Sequence, residues 1–308
     1  MARKPSPPIL PGNWADPTGI DRLERGAIRE LARRVRKIGR AYKAALERIP
    51  VEPTVNRKYV FALDSFLLRS ILDGLDAVVD AILLEGGEDR LWFLRQYVEV
   101  ATVRGTAQEF ANLSQQSPAY KAGRESLQEI LRSAPYRRRM ALTQARTFEE
   151  MKGLAAKVKA SMNRVLTEGI GRGQNPREIA RNLTSQAGIE AKRARLIART
   201  EVPMALRQAR WDESEDAQDA FGLVMKEMHL SALSSTTRVS HAARHAKLFT
   251  VDEVREWYSQ DGNLFNCKCS QVSVMVDDNG KPIVPAIVER AKQAKQKMEE
   301  RGYGWAKD

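Results

Sequence analysis

The chain has 308 residues, with 51 Lys and Arg against 39 Asp and Glu, and therefore a formal net charge of +12. No apolar stretch follows its first four residues and Asp80 interrupts the apolar run from Ala77 to Leu84, so the sequence predicts neither a secretion signal nor a membrane-spanning helix. Two cysteines one residue apart cannot close a stabilising disulfide loop, which favours a soluble protein that folds in the cytosol.

The positive charge is concentrated in two segments. Residues 1–50 contain 12 Lys and Arg against 5 Asp and Glu, and residues 119–200 contain 18 against 7. The other two segments are slightly acidic, with 6 against 10 in residues 51–118 and 15 against 17 in residues 201–308. Segregated positive charge predicts contact with a polyanion. A basic helix face that is simply solvated remains the alternative.

Five prolines in residues 1–18 predict an extended, Pro-rich arm that lies along a neighbouring subunit. Residues 19–135 form a predicted helical N-terminal region. Within it, apolar residues recur at helical spacing from Ile20 to Leu46, opposite a basic face. The strongly apolar segment from Tyr59 to Leu84 predicts a buried helix, and an aromatic stripe predicts a further helix from Arg90 to Leu113.

A long basic helix is predicted over residues 136–168, where few acidic residues interrupt the positive charge. Residues 119–200, with help from the helix at residues 20–46, are predicted to contact DNA phosphates without reading base sequence. The residues assigned to this contact are Arg137, Arg138, Arg139, Lys152, Lys157, Lys159 and Arg164.

Residues 169–284 are predicted to form an α+β module that starts with a glycine-rich hinge at residues 169–173. Asn175 and Pro176 are typical of a helix N-terminus, and Gly188 is predicted to end that helix before a second one begins.

Alternating apolar residues predict strands near residues 221–229 and 270–276, and Thr250 with Glu253 predicts a capped helix. A C-terminal helix and tail follow at residues 285–308. The predicted fold is mainly α, with a helical N-terminal region and a small α+β C-terminal module.

All three histidines and both cysteines lie between His229 and Cys269. His241 and His245 are spaced to share one helix face, and Cys267 and Cys269 share one short turn. Together they could supply the N2S2 ligand set of a structural zinc site. The alternative is a reduced, inert cysteine pair beside two polar histidines.

Two segments carry a resemblance to a known family. The first, GIGRGQNPREIARNLTSQAGIEAKRARLIARTEVPMALRQAR, runs from Gly169 to Arg210, and the second joins TRVSHAARHAKLF to NCKCS at Asn266 to Ser270. In order and spacing, both resemble the phage Mu F-like minor head protein (phage head morphogenesis) family.

The resemblance implies a minor head or capsid protein of a tailed phage, and not an enzyme. Such a protein would be made in the host cytoplasm and carried in the virion, in the head interior or at the portal vertex. Its implied partners are the portal protein, other head proteins and phage DNA bound non-specifically during packaging or delivery, with no membrane. The alternative is a zinc-dependent hydrolase or nuclease, or a toxin-like enzyme, that uses the His and Cys cluster. Nothing in the sequence marks the general base that a catalytic zinc requires.

Overall fold

A computed structural model describes residues 6–54, 58–124 and 126–306. It confirms the mainly α fold with a small α+β C-terminal module. Residues 1–5 of the predicted arm and residues 307–308 of the predicted tail lie outside the described residues. Within the described ranges, every helix is too short or too polar to cross a membrane.

The α-helices and strands are numbered in chain order. The helices are α1 (Asp21–Glu47), α2 (Ser65–Leu83), α3 (Glu99–Gln116), α4 (Pro118–Gly123), α5 (Leu127–Arg132), α6 (Ala134–Gly171), α7 (Pro176–Phe221), α8 (Val239–Ala243), α9 (Val251–Ser259) and α10 (Ala286–Glu299). The strands are β1 (Val51–Pro53), β2 (Tyr59–Phe61), β3 (Met225–Leu230), β4 (Leu248–Phe249) and β5 (Ser270–Met275). A π-helical turn (Leu94–Val98) precedes α3, and a 3-10 turn (Gly304–Ala306) follows α10.

The chain divides into two compact units. Unit 1 comprises residues 1–24, 97–140 and 199–308, and unit 2 comprises residues 25–96 and 141–198.

In unit 2, polar side chains connect three helices. The Tyr42 hydroxyl on α1 donates to Asn163 Oδ1 on α6 over 2.5 Å, and the Asn163 amide donates to Asp76 Oδ1 on α2 over 3.0 Å. Lys159 on α6 lies 2.6 Å from Asp80 on α2. The apolar face of α1 is buried, as its helical spacing predicts.

The prediction of a buried helix over residues 59–84 is wrong in two respects: the helix starts later, and it is not buried on all its apolar faces. Tyr59–Phe61 pairs instead with Val51–Pro53 as a two-stranded ribbon, and Asp64 caps α2 by accepting from the Leu67 N–H over 2.7 Å. On α2 one apolar face stays outside, since Phe66 is 83% exposed.

The glycine-rich connection behaves as predicted, because α6 ends at Gly171 and Gly173 takes the left-handed conformation with φ +62°. The predicted break at Gly188 is wrong, since α7 continues from Pro176 to Phe221 as one helix. A glycine inside a helix costs about 1 kcal/mol, and residues buried on either side of Gly188, such as Ala187 and Glu190, stabilise the continuous helix.

Unit 1 contains a three-stranded antiparallel sheet in the order β4-β3-β5. Met228 on β3 is paired with Val272 on β5, and both side chains are buried. In the same unit α3 approaches α7 closely at Gly105, where an added Cβ would lie 2.2 Å from the Leu206 carbonyl oxygen. A side chain at this position would separate the two helices.

Residues 6–18 lie on unit 1 of their own chain. The Ile9 N–H donates to Asn112 Oδ1 over 2.9 Å, and the Trp14 ring centroid lies 5.6 Å from that of His245. Trp14 is half-buried by these contacts, whereas Ile9 stays 43% exposed. The segment was predicted to reach a neighbouring subunit. Its contact with a neighbour stays a prediction.

The C-terminal tail also packs on unit 1. Trp305 is buried against Leu233 and Ala242, and its indole N–H donates to the Ser234 carbonyl over 2.8 Å. The tail therefore covers the segment that leads into α8.

Candidate metal centre

Three of the four predicted metal ligands lie together in unit 1. His241 belongs to α8, whereas Cys267 and Cys269 precede β5. His241 Nδ1 lies 3.5 Å from Cys267 Sγ and 3.4 Å from Cys269 Sγ. All three potential ligand atoms lie within 4.8 Å of one another. The exposed fractions of the three residues are only 2%, 3% and 2%, so this cluster is part of the core.

The two thiols point into one space because the chain turns sharply before β5. Asn266 has a left-handed backbone with φ +55°, and the Cys269 N–H donates to Cys267 Sγ over 3.4 Å. Asparagine tolerates this conformation better than most residues. The turn therefore holds the two sulfur atoms within 4.8 Å of each other, closer than the spacing of about 6.6 Å between residues i and i+2 on an extended strand.

Two side chains that lie one turn apart on α7 donate hydrogen bonds to this turn and to the start of β5. Arg207 Nη1 donates to the carbonyls of both Cys267 and Cys269, over 3.1 and 3.0 Å. Four residues later, the Trp211 indole N–H donates to Gln271 Oε1 over 3.1 Å. The Arg207 bonds join the two sequence segments that carry the family resemblance.

Arg207 belongs to the surroundings of the candidate site and was not predicted from the sequence. Its side chain is fully buried, and its guanidinium lies over the Tyr258 ring at 4.8 Å from the ring centroid. A signal existed in the sequence, because an arginine four residues before Trp211 occupies the buried face of α7.

Aromatic residues of α9 form one wall of the cluster. The Trp257 ring stands edge-on to His241, with centroids 4.6 Å apart, and the Tyr258 hydroxyl lies 3.6 Å from Cys267 Sγ. The helix begins with the predicted capping box, in which Thr250 and Glu253 each accept from the other's backbone N–H. The cap fixes where α9 starts and hence where its aromatic rings stand.

The two thiols have opposite pKa shifts. Burial opposes ionisation of Cys267, but hydrogen bonds with Cys269 and His241 and the charge of Arg207 lower the pKa of this thiol well below its usual value. The hydrogen bond to Cys267, together with burial, raises the pKa of Cys269 well above its usual value. These opposite pKa shifts favour ionisation of the Cys267 thiol over that of Cys269.

His245, the fourth predicted ligand, makes other contacts. Its Nδ1 accepts from the Ser231 N–H and its Nε2 donates to the Ala291 carbonyl, both over 3.0 Å. Burial lowers the pKa of His245 to about 4, so its ring is neutral at physiological pH. With both nitrogens engaged, His245 connects the end of β3 to α10.

His229, which was not predicted as a ligand, is buried near the cluster. Its Nδ1 accepts from the Gln271 amide over 3.1 Å, and burial lowers the pKa of the imidazole to about 3. Among the described atoms, His229 Nε2 and His241 Nε2 have no hydrogen-bond partner.

The predicted DNA-contacting residues lie on α6 but differ in their partners. Arg139 is paired with Asp212 and Asp216 in unit 1. In unit 2, Lys152 is paired with Glu149, and Lys159 with Asp80.

The remaining four of these cations are exposed and form no ion pair with another described residue. They are Arg137, Arg138, Lys157 and Arg164. Arg137 and Arg138 belong to unit 1, and Lys157 and Arg164 belong to unit 2.

A family model described as Phage Mu protein F like protein matches residues 160–272, a little over a third of the 308-residue chain. Searches of curated proteins and of solved structures found no match. The matched range includes the whole of both motif segments, with the Arg207 bonds that join them. The resemblance is thus confirmed over residues 160–272, where the sequence is similar to the phage Mu F-like family, and this similarity supports a role in phage head morphogenesis.

Proposed function

We propose that this chain is a minor head protein of a tailed phage that associates with the portal and acts in head morphogenesis. The observation that carries the proposal is the family match over residues 160–272. The protein is made in the host cytoplasm and resides in the virion, in the head interior or at the portal vertex. Its partners are the portal protein and other head proteins.

Reconstitution tests this role. The chain is co-expressed with the portal and head proteins, and assembled particles are separated from free protein by sedimentation. We expect the chain to sediment with portal-containing particles and to be missing from particles assembled without portal. Equal recovery of the chain with both kinds of particle would contradict its association with the portal.

Within this role, exposed cations of α6 contact phage DNA without reading its sequence during packaging or delivery. Four of the seven predicted residues remain available for phosphate contact, because they are exposed and unpaired among the described residues: Arg137, Arg138, Lys157 and Arg164. A fluorescence-anisotropy titration with random-sequence duplex DNA should show affinity that falls steeply as salt rises. Absence of binding at low salt would refute the contact.

We also propose that His241, Cys267 and Cys269 hold one structural zinc ion. Tetrahedral bonds of about 2.3 Å to sulfur and about 2.0 Å to nitrogen place the ligand N and S atoms about 3.5 Å apart. The observed Nδ1 to Sγ distances of 3.5 and 3.4 Å fit this separation. A bound zinc ion would supply cross-links between α8 and the turn before β5, and its binding free energy would add to folding stability.

The burial of the three ligands favours a structural zinc over a catalytic one, and a structural site would need a fourth ligand in addition to these three. A catalytic zinc needs a coordination position that substrate can reach and a nearby general base. Here the Trp257 ring covers His241, and the two thiols are in the core. Metal-dependent hydrolysis of DNA that disappears in Cys269→Ser and in His241→Ala would instead support the enzyme alternative.

A further inference from the structure

The exposed face of α1 carries a row of arginines that the predicted DNA contact on α6 does not include. Four exposed arginines, Arg25, Arg29, Arg36 and Arg40, are called the arginine stripe here. At about 100° of rotation per residue, they fall within an arc of about 60°. With a rise of about 1.5 Å per residue, the arginine stripe extends for about 22 Å along the helix.

The packing of unit 2 determines which face of α1 is exposed to solvent, and this face carries the arginine stripe. The opposite face of α1 is buried at Ala27, Leu31, Val35 and Ile38, each at most 1% exposed. Rotating α1 to hide the arginines would expose this apolar face to water, which is unfavourable. The arginine stripe therefore faces solvent as a consequence of the fold.

The positive charge of the arginine stripe is not neutralised locally. Between Arg25 and Arg40 the single acidic residue is Glu30, which lies off the stripe and is paired with Arg33 and Arg34. None of the four stripe arginines forms an ion pair with a described residue. Like charges spaced one turn apart on a helix repel each other, so the pattern weakens the isolated helix.

The surrounding unit strengthens the positive field. Unit 2 contains 25 Lys and Arg against 15 Asp and Glu, whereas unit 1 contains 26 against 24. Unit 2 therefore carries +10 of the net +12 within a little under half of the chain.

We propose that the arginine stripe is a docking surface for the sugar–phosphate backbone of double-stranded DNA. This inference rests on the proposed DNA contact and assigns its main surface to α1. A duplex presents a uniform row of phosphates, and guanidinium groups bind phosphate with two parallel hydrogen bonds.

The surface around the arginine stripe favours DNA over an acidic protein. Protein interfaces have a core of apolar and aromatic side chains inside a polar rim. The described residues of α1 include no exposed large apolar side chain. The arginine stripe presents positive charges in a straight row and no apolar side chains. This arrangement suits contact with the phosphates of a DNA duplex, which does not depend on base sequence.

The test compares three charge-matched variants of the full chain by anisotropy with a random-sequence DNA duplex. The stripe variant is Arg25→Gln, Arg29→Gln, Arg36→Gln and Arg40→Gln. The α6 variant is Arg137→Gln, Arg138→Gln, Lys157→Gln and Arg164→Gln. The control removes four exposed unit 1 cations that have no ion pair with a described residue: Lys281→Gln, Arg290→Gln, Lys297→Gln and Arg301→Gln. Circular dichroism confirms that each variant is folded.

We expect the stripe variant to bind duplex DNA at least about tenfold more weakly than the unchanged chain at low salt. The slope of log K against log salt should fall by about 0.9 for each phosphate that the variant no longer neutralises. The control should change much less, because its cations lie outside the surface.

Four results would overturn the inference. An equal weakening in the control would show a mere net-charge effect. A weakening confined to the α6 variant would leave the proposed DNA contact intact and reject the arginine stripe. No binding by the unchanged chain would reject both DNA surfaces, while particle sedimentation would still test the head role separately. Tighter binding to poly-glutamate than to the duplex at equal salt would identify an acidic protein as the partner.

Discussion

The two compact units place their charged residues differently. In unit 1, charged side chains enter the core, where Arg207, Arg210, Glu109, Glu213 and Glu227 are all at most 7% exposed. In unit 2, most of the excess positive charge lies on exposed helix faces. Among the described residues, buried charges are therefore more numerous in unit 1, while in unit 2 only Arg34 and Glu190 are buried and exposed basic residues predominate.

This difference matters because burial changes what a charge contributes. A buried ion is stabilised only by its partners, and removing one partner leaves the other uncompensated. An exposed ion is solvated and screened, so its removal changes stability little. Substitutions of the buried charges in unit 1 should therefore affect folding, and substitutions of the exposed charges in unit 2 should affect binding.

The largest effect is expected for Arg210→Met in unit 1. Arg210 donates to Glu109 Oε2 over 2.9 Å, and Glu227 lies in the same buried network. Leaving the two carboxyl groups without their cation should lower the free energy of unfolding by about 3 to 5 kcal/mol. Urea denaturation measures the change. The exposed counterpart Arg36→Met in unit 2 should change the free energy of unfolding by less than about 1 kcal/mol. Similar decreases in both variants would contradict the difference between buried and exposed charges.

The second effect concerns the proposed zinc in unit 1. Zinc that binds only the folded chain should add about 2.7 kcal/mol at a free concentration of about 100 times Kd. A chelator should therefore lower the melting temperature of the unchanged chain but not that of Cys267→Ser. Elemental analysis that finds well under one zinc per purified chain would contradict this prediction.

The third effect is a pH dependence from Glu213. Burial raises the pKa of this carboxyl to about 7, despite the hydrogen bond from Tyr120 and the nearby charge of Arg124. The pKa of Glu213 is higher in the folded chain than in the unfolded chain. Its contribution to the stability of the fold is therefore fully present below about pH 4.5 and is lost as the pH rises through about 7. Glu213→Gln removes this loss, since the amide is neutral at every pH.

Denaturation at about pH 5 and about pH 8 measures the Glu213 effect. Relative to the unchanged chain, Glu213→Gln should gain stability on the order of 2 kcal/mol between the two values. The exposed Glu150→Gln should show no such gain. A pH-independent difference for Glu213→Gln would show that the buried carboxyl stays ionised.

The smallest effect is expected for the stability of the arginine stripe variant in unit 2. Neutralising four like charges on one helix face should raise the free energy of unfolding by up to about 1 kcal/mol at low salt. Because salt screens exposed charges, the gain should disappear at high salt. A decrease of several kcal/mol would show that these arginines are structural, as in unit 1.

Local patterns in the sequence predicted much of the fold. The helical spacing before Leu46, the glycine-rich connection at residues 169–173 and the capping box at Thr250 all depend on neighbouring residues. Each of them appears in the structure where it was expected.

The wrong predictions concern features that tertiary packing decides. Gly188 was expected to end a helix, but the buried residues around it keep α7 continuous. The apolar composition of α2 predicted burial on several faces, but the fold covers one of them. The hydropathy of a side chain indicates that it favours burial, but not whether the fold provides another element that covers it.

The candidate site was predictable as a set of residues but not as a geometry. Sparse histidines and cysteines in one stretch pointed to His241, Cys267 and Cys269. Nothing in their spacing showed that Ser231 and Ala291 engage both nitrogens of His245. Such contacts depend on long-range packing that one sequence does not reveal.

Mass spectrometry of purified phage particles tests the central claim most directly. If this chain is a portal-associated minor head protein, its peptides should be present in both proheads and mature virions, at a few copies relative to the major capsid protein. Its absence from both kinds of particle, together with abundance in the cytosol of infected cells, would contradict the account and support the enzyme alternative.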